Sequence, residues 1–183
     1  MITWIIIGIT VVVSWFAFGN RDVMEKLEFN AAKVAHQKQY YRLFTHALVH
    51  VSWMHLLVNM LVLYFFGPVV ESDFAFYFGN NAVPFFLLLY TGGILVSNLY
   101  SLYRHKNNYY YNAVGASGAV SAVLFTFIFL NPWDKLYVFA LFPVPGIVFA
   151  AIYLVYSWYM SKRGGDNIAH DAHFLGAAFG FFL

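Results

Sequence analysis

A serine stands among small residues at Gly115-Ala116-Ser117-Gly118, immediately before an uncharged run from Ala119 to Leu130. A serine hydroxyl is a weak nucleophile until a base takes its proton. Two histidines, His170 and His173, open an apolar segment near the C-terminus, and a third, His55, lies with Asn59 near the start of an earlier one. Neutral imidazole has the pKa to accept the serine proton and to return it to a leaving amine. Attack on an amide creates an oxyanion that needs donors aimed at it. His55 and Asn59 can supply side-chain donors, and the Ser117 amide N–H another. The chemistry on offer is acyl transfer, if the three segments meet.

What must position these residues is a set of membrane helices. The chain has 183 residues, of which 62% are hydrophobic and 10% charged. Soluble domains carry about 25% charged residues, so this chain has too few for a water-facing surface. One domain, residues 1–183, is expected from the length. The formal net charge of +2 is too small to argue for nucleic acid. With no cysteine, disulfides, thiol catalysis and cysteine-ligated metals are excluded.

A bilayer core needs about 20 apolar residues per helix, with shorter spans tolerated. Six segments qualify, roughly Ile2–Phe18, Val51–Val70, Val83–Leu102, Val114–Leu130, Pro143–Met160 and Ile168–Leu183. The first lacks a preceding basic stretch and a small-residue cleavage signal, and reads as a retained span. Pro68 and Glu71 to Asn81 link the second and third spans, Asn131-Pro132-Trp133-Asp134 marks a turn, and Gly164-Gly165 another. Residues 19–50 mix half of the Lys and Arg with Leu27, Phe29, Val34 and Phe44. This mixture predicts a segment at the membrane interface.

Polar side chains in hydrocarbon are expensive and face protein or a wet cavity. Here they fall early in the second span (His50, His55, Asn59), the fourth (Ser117, Ser121) and the sixth (His170, Asp171, His173). Even-numbered spans run in one direction, so these clusters share a side and a depth and can meet in one cavity. His55 and Asn59, four apart, project from one helix face. His173, Gly176 and Gly180 share another face, and Gly118 and Ala122 make a small-xxx-small pair that lets helix backbones approach closely. The fourth and sixth helices are expected to pack on these faces. His173 continues into the glycine stripe and is the favoured base, with His170 the alternative. Asp171, two residues from His173, points the other way, so a dyad is expected rather than a triad.

Simpler readings compete. A single membrane serine usually bonds its own backbone, and Gly-xxx-small usually serves packing. His46 and His50 are expected at the interface, satisfied by backbone or water. A ligand cavity without catalysis would produce the same coincidence of polar clusters. A histidine-ligated haem or metal protein is a further alternative, although no His-Glu-x-x-His pair is present. A transporter is disfavoured by the lack of an inverted repeat and the scarcity of buried acids.

Three strings, in order and on separate spans, resemble the rhomboid intramembrane serine proteases. They are His46-Ala47-Leu48-Val49-His50 with His55-Leu56-Leu57-Val58-Asn59-Met60, then Gly115-Ala116-Ser117-Gly118, then Ala172-His173 with Gly176 and Gly180. The resemblance covers about Tyr41 to Gly180. It implies an all-α membrane protein, a six-transmembrane-helix bundle in which residues 19–50 form a membrane-embedded first loop. It implies a catalytic Ser117–His173 dyad with His55 and Asn59 as oxyanion donors, and no metal or organic cofactor. Its implied partners are the bilayer and transmembrane protein substrates, cut where the helix unwinds easily, often after a small residue. The expected location is a bacterial inner membrane. Glu71 stands where such proteins have a structural glutamate, with Gly67 to Glu71 forming the end of the second helix. Two departures stand out. Tyr41-Arg42 replaces Trp-Arg in the first loop. Ser121 replaces an aromatic that stacks on the histidine, and is expected to bond to His173 or to water instead.

Orientation is in conflict. All of the ten Lys and Arg except Lys135 lie in connections after odd-numbered spans. The positive-inside rule places those connections in the cytoplasm, whereas the resemblance places them, and the mouth of the site, outside. The latter is favoured if the first loop is embedded protein rather than a free tether. The Pro143/Pro145 entry to the short fifth span is the candidate gate for a substrate helix.

Overall fold

The order of buried and exposed residues along the first helix reverses that of a soluble protein. Helix α1 (Ile2–Phe18) buries Thr3, Thr10, Ser14 and Ala17 and exposes Trp4, Ile5, Val12 and Trp15. A helix in water turns its apolar stripe inward. This one turns its small and polar stripe inward, as suits an outer surface that meets lipid.

The computed structural model describes residues 1–138, 141–163 and 169–183. After α1 come α2 (Arg21–Leu27), strand β1 (Phe29–Asn30), α3 (Ala31–Gln37), α4 (Arg42–Thr45) and a 3-10 turn at His46–Leu48. Helices α5 (Trp53–Phe78) and α6 (Ala82–His105) follow, joined by a 3-10 turn at Gly79–Asn81. Strand β2 (Asn112–Ala113) pairs with β1 and leads into α7 (Ser117–Leu130). A hairpin of β3 (Lys135–Val138) and β4 (Phe142–Pro145) precedes α8 (Gly146–Arg163), and α9 (His170–Phe182) ends the chain. The described residues are thus mostly helical. By length and apolar composition, the helical stretch Trp53–His105 meets what a membrane crossing needs, and α1 and α7 are shorter apolar helices. That stretch is two helices in fact, because Gly79 at φ +55 turns the chain back and α5 packs on α6.

Several boundaries differ from the sequence reading. The second apolar segment does not end at Gly67–Glu71; α5 runs through Pro68 to Phe78. Proline removes one helical hydrogen bond, but Leu63, Gly67, Val70 and Phe74 continue a single buried face across it. Glu71 lies within this helix and caps another. Its Oε2 accepts from Ile2 N at 2.9 Å and its Oε1 from Thr3 N at 2.7 Å and from the Thr3 hydroxyl. The first amides of a helix lack intrahelical partners and favour a negative charge, so a carboxylate from α5 completes α1. The fifth segment begins as a helix only at Gly146. Pro143 and Pro145 sit in β4, opposite Tyr137 and Lys135, and a two-stranded ribbon tolerates the missing donors. Gly164-Gly165 and Ile168 lie outside the described residues.

Helix α7 is the axis of the bundle. Every residue from Gly118 to Ile128 is buried, and α5, α6, α8 and α9 all pack on it. The segment between α1 and α5 is folded protein with its own anchor. Arg42 is 4% exposed and donates to Glu25 O at 2.8 Å, Glu28 O at 2.7 Å and Gln39 Oε1 at 2.6 Å. Burial pushes the Glu28 carboxyl above its ordinary value, opposed by the charges of Lys33 and Arg42.

Candidate active site

The site begins with glycines that let two backbones touch. A Cβ built on Gly176 would overlap the carbonyl and Cα of Gly118, and one on Gly180 would overlap those of Ala122. Both overlaps are with main chain, which cannot move aside as a side-chain tip can. The two contacts advance together, four residues along each helix, so α7 and α9 run parallel. Thr126 Oγ1 donates to Gly180 O at 2.6 Å one turn further on. Ser117 immediately precedes Gly118, and His173 lies three residues before Gly176. Both therefore occupy the first turns of adjacent parallel helices at the same end. Each is half-buried, which leaves a path from outside.

The strand-like approach to Ser117 is held from the other side. Gly115 N donates to His46 O at 2.9 Å, and Ala116 N donates to His50 Nε2 at 3.4 Å. The chain of bonds assigns the His50 tautomer. Ser14 Oγ donates its one proton to Leu48 O at 2.8 Å, so at 3.0 Å from His50 Nδ1 it must accept. Nδ1 then carries the hydrogen and Nε2 is free to accept, as the Ala116 amide requires. His50 is a neutral strut between α1 and the loop before α7. His46 Nε2 lies 2.8 Å from Asn98 Nδ2. Both histidines are buried within the protein, His46 4% and His50 0% exposed, and the backbone satisfaction expected of them holds in part, through Ala116 N on His50. Their partners are protein groups from distant segments, which local sequence does not reveal.

Gly115 adopts φ +115, and a Cβ there would lie 2.5 Å from His55 Cε1 and 2.8 Å from its Nε2. The His55 ring thus rests on the backbone two residues before Ser117. It also meets the His50 ring edge-on, with centroids 4.8 Å apart. Its Nδ1 is buried and has no hydrogen-bond partner among the described residues. Asn59, one turn on and buried, donates Nδ2 to His55 O at 2.9 Å; its second N–H is not used in that bond. All four residues singled out in the sequence, Ser117, His173, His55 and Asn59, lie on the elements that converge here.

Asp171 turns to α6, where Ser101 Oγ donates to its Oδ2 at 3.0 Å. The rings of His170 and His173 lie 6.1 Å apart, and that of Tyr156 is 5.6 Å from His170. Ser121 has a protein partner that the sequence did not name; its Oγ is 2.9 Å from the Tyr153 hydroxyl. The small side chain leaves space beside α7, and a tyrosine from α8 fills it, packed on Phe125 with centroids 5.4 Å apart. Polar residues are also not confined to even-numbered segments. Ser97, Asn98 and Ser101 on α6 are buried, and Ser97 Oγ sits where a Gly118 Cβ would go. Gly93, Ser97 and Ser101 recur every four residues. That period was the available signal for a third packing face.

A model of the rhomboid domain matches residues 37–183, most of the chain. The chain belongs to the rhomboid family. It is accordingly a membrane protein, in keeping with the inverted pattern of α1. It is similar to RHOMBOID-like protein 12, mitochondrial, of Arabidopsis thaliana, with 28% identity over 92% of this chain and 52% of that one. The chain thus spans about half the length of that curated relative. The matched rhomboid domain includes Ser117, His173, His55 and Asn59. The Ser14 hydroxyl that orients His50 comes from α1, ahead of the matched region.

Proposed function

We propose that this rhomboid is an intramembrane serine endopeptidase working through a Ser117–His173 dyad. The observation that carries the reading is the parallel glycine contact of α7 with α9, which puts both residues on neighbouring first turns. In the proposed reaction the His173 imidazole takes the Ser117 proton as Oγ attacks a peptide carbonyl. The tetrahedral oxyanion is met by the Ser117 amide, the His55 ring and the Asn59 side chain. The imidazolium then protonates the departing amine, leaving an acyl-serine, and water activated by the same imidazole releases the acid and restores the hydroxyl. Loss of one oxyanion donor typically costs about 2.7–4 kcal/mol of barrier. The reading is supported by the His55 ring lying against the Gly115 backbone, two residues before Ser117.

In this reading α1, α5, α6, α7, α8 and α9 are six membrane spans, the segment 19–50 is embedded at the bilayer surface, and substrates are transmembrane segments of other proteins. The buried Arg42 anchor supports an embedded segment over a free tether. It also supports the orientation in which the mouth of the site faces away from the cytoplasm. The relative's name gives no support to a bacterial inner membrane, so the compartment is read only as a membrane.

Labelling with a fluorophosphonate tests the proposal without knowledge of a substrate. The native chain should label and Ser117→Ala should not, with the signal falling to background. Absence of labelling in a folded native chain would favour a binding protein that recognises membrane segments without cutting them.

A further inference from the structure

The ends of α6 and α8 and the first turns of α9 enclose a cavity of about 470 Å³ that none of the proposed catalytic residues lines. Two cations line it. Arg104 is the penultimate residue of α6, and Lys162 is the penultimate residue of α8. Each is held by an aromatic neighbour of its own helix. The Lys162 ammonium lies 4.1 Å from the Trp158 ring centroid, and Arg104 donates to Tyr100 Oη at 3.3 Å. Phe174 and Leu175 add apolar lining.

Cations near helix C-termini also serve the helix dipole, and that alone would explain either one. It does not explain why two from different helices converge on one cavity. Among the described residues the one ion pair is Arg21–Glu25, and Asp171 is the one acid beside Arg104 and Lys162 in the described lining. The acid in the lining, Asp171, accepts from Ser101. Ser161 adds a hydroxyl. The described lining therefore has two cations to one acid, with donors suited to a phosphate.

A second feature tells what kind of phosphate. On the neighbouring face of α8, an almost wholly apolar groove of about 490 Å³ runs past Ile152, Val155, Tyr156 and Tyr159. It lies deeper than Lys162 by up to ten residues of helix, or about 15 Å at 1.5 Å per residue. A charged head at the helix ends with an apolar channel below it has the polarity of a phospholipid. Trp and Tyr beside the head match the interfacial belt of membrane proteins.

The geometry points to a binding site for one anionic glycerophospholipid, its phosphate between Arg104 and Lys162 and an acyl chain along α8. Basic pockets between membrane helices bind such headgroups by these forces. The site adjoins α8 and α9 without using the chemistry of Ser117, so it stands or falls independently of the protease reading.

The test uses the full chain in vesicles of phosphatidylcholine with and without one part in five of phosphatidylglycerol. The chain is then extracted into mild detergent, and retained lipid is counted by native mass spectrometry. One phosphatidylglycerol per chain should be retained in preference to phosphatidylcholine. Arg104→Gln with Lys162→Gln should lower that retention about tenfold or more, and Arg104→Lys with Lys162→Arg should keep it. Added inorganic phosphate should not displace the lipid; displacement would show a site for free phosphate and overturn the proposal. Equal retention of the two lipids by the native chain would overturn it too, a comparison that needs no variant to fold.

Discussion

Ser121 and Tyr153 share a bond between α7 and α8, one helical turn from Ser117 along α7. Ser121 is buried, and its neighbour ring packs against Phe125 and Phe149. Interhelical hydrogen bonds in membrane proteins contribute about 0.6 kcal/mol on average. Tyr153→Phe keeps the ring and removes the hydroxyl, so the chain should fold with stability lower by about that amount. Ser121→Ala should cost a similar amount, and the double substitution should cost little more than either alone. A double-mutant cycle by thermal unfolding in detergent measures this. Full additivity would mean that the hydroxyls do not interact energetically. The coupling also ties α8 to the helix that bears Ser117, so Tyr153 positions α7 from a helix whose entry is a hairpin.

At the scale of elements, two contacts distinguish structure-bearing positions from permissive ones of the same type. Gly180 packs on the Ala122 backbone, whereas a Cβ at Gly8 on α1 would meet nothing within 4 Å. Gly180→Ala should therefore force α7 and α9 apart, costing about 1–3 kcal/mol or more as overpacking does, and should abolish Ser117 labelling. Gly8→Ala should be neutral or stabilising by up to about 1 kcal/mol, the helix-propensity difference. Comparing melting and labelling of the two variants checks the helix pair directly. Glu71 gives the corresponding case for α1. Glu71→Ala leaves two amides and a hydroxyl without their acceptor, and should lower stability by about 2 kcal/mol. Ser117 labelling should persist at low temperature, because Ser14 reaches His50 from the far end of α1. A calorimetric or fluorescence melt reads the loss.

The whole molecule is a helix bundle whose core holds large apolar side chains such as Leu63, Phe86 and Phe125 beside buried polar ones, whose outer faces are apolar, and whose cations, Lys135 excepted, lie in or beside the connections after α1, α6 and α8. That charge asymmetry and the buried Arg42 anchor pull the assignment of orientation in opposite directions. Because the chain has no cysteine, one introduced at exposed Asn107, in the connection between α6 and α7, is a clean reporter. If the site opens away from the cytoplasm, Asn107→Cys should react with an impermeant maleimide added outside intact cells. Labelling only after the cells are broken would reverse the orientation and restore the positive-inside assignment.

Much of the site was legible in the chain because its signals are local. The helical repeat alone places His55 with Asn59, Gly118 with Ala122, and Gly176 with Gly180 on shared faces. Apolar runs placed the six long helices to within a few residues, except where Pro68 was read as a stop and Pro143 as a start. Tertiary structure decided whatever depends on register between helices. It made Tyr153 a partner of Ser121, sent Asp171 to Ser101, drew Glu71 to the start of α1, and made His50 a strut for Ala116. The physical reason is range. Periodicity within a helix follows from backbone geometry of a few residues, whereas the partner of a buried polar group is set by whichever distant donor or acceptor the packed backbones bring within about 3 Å.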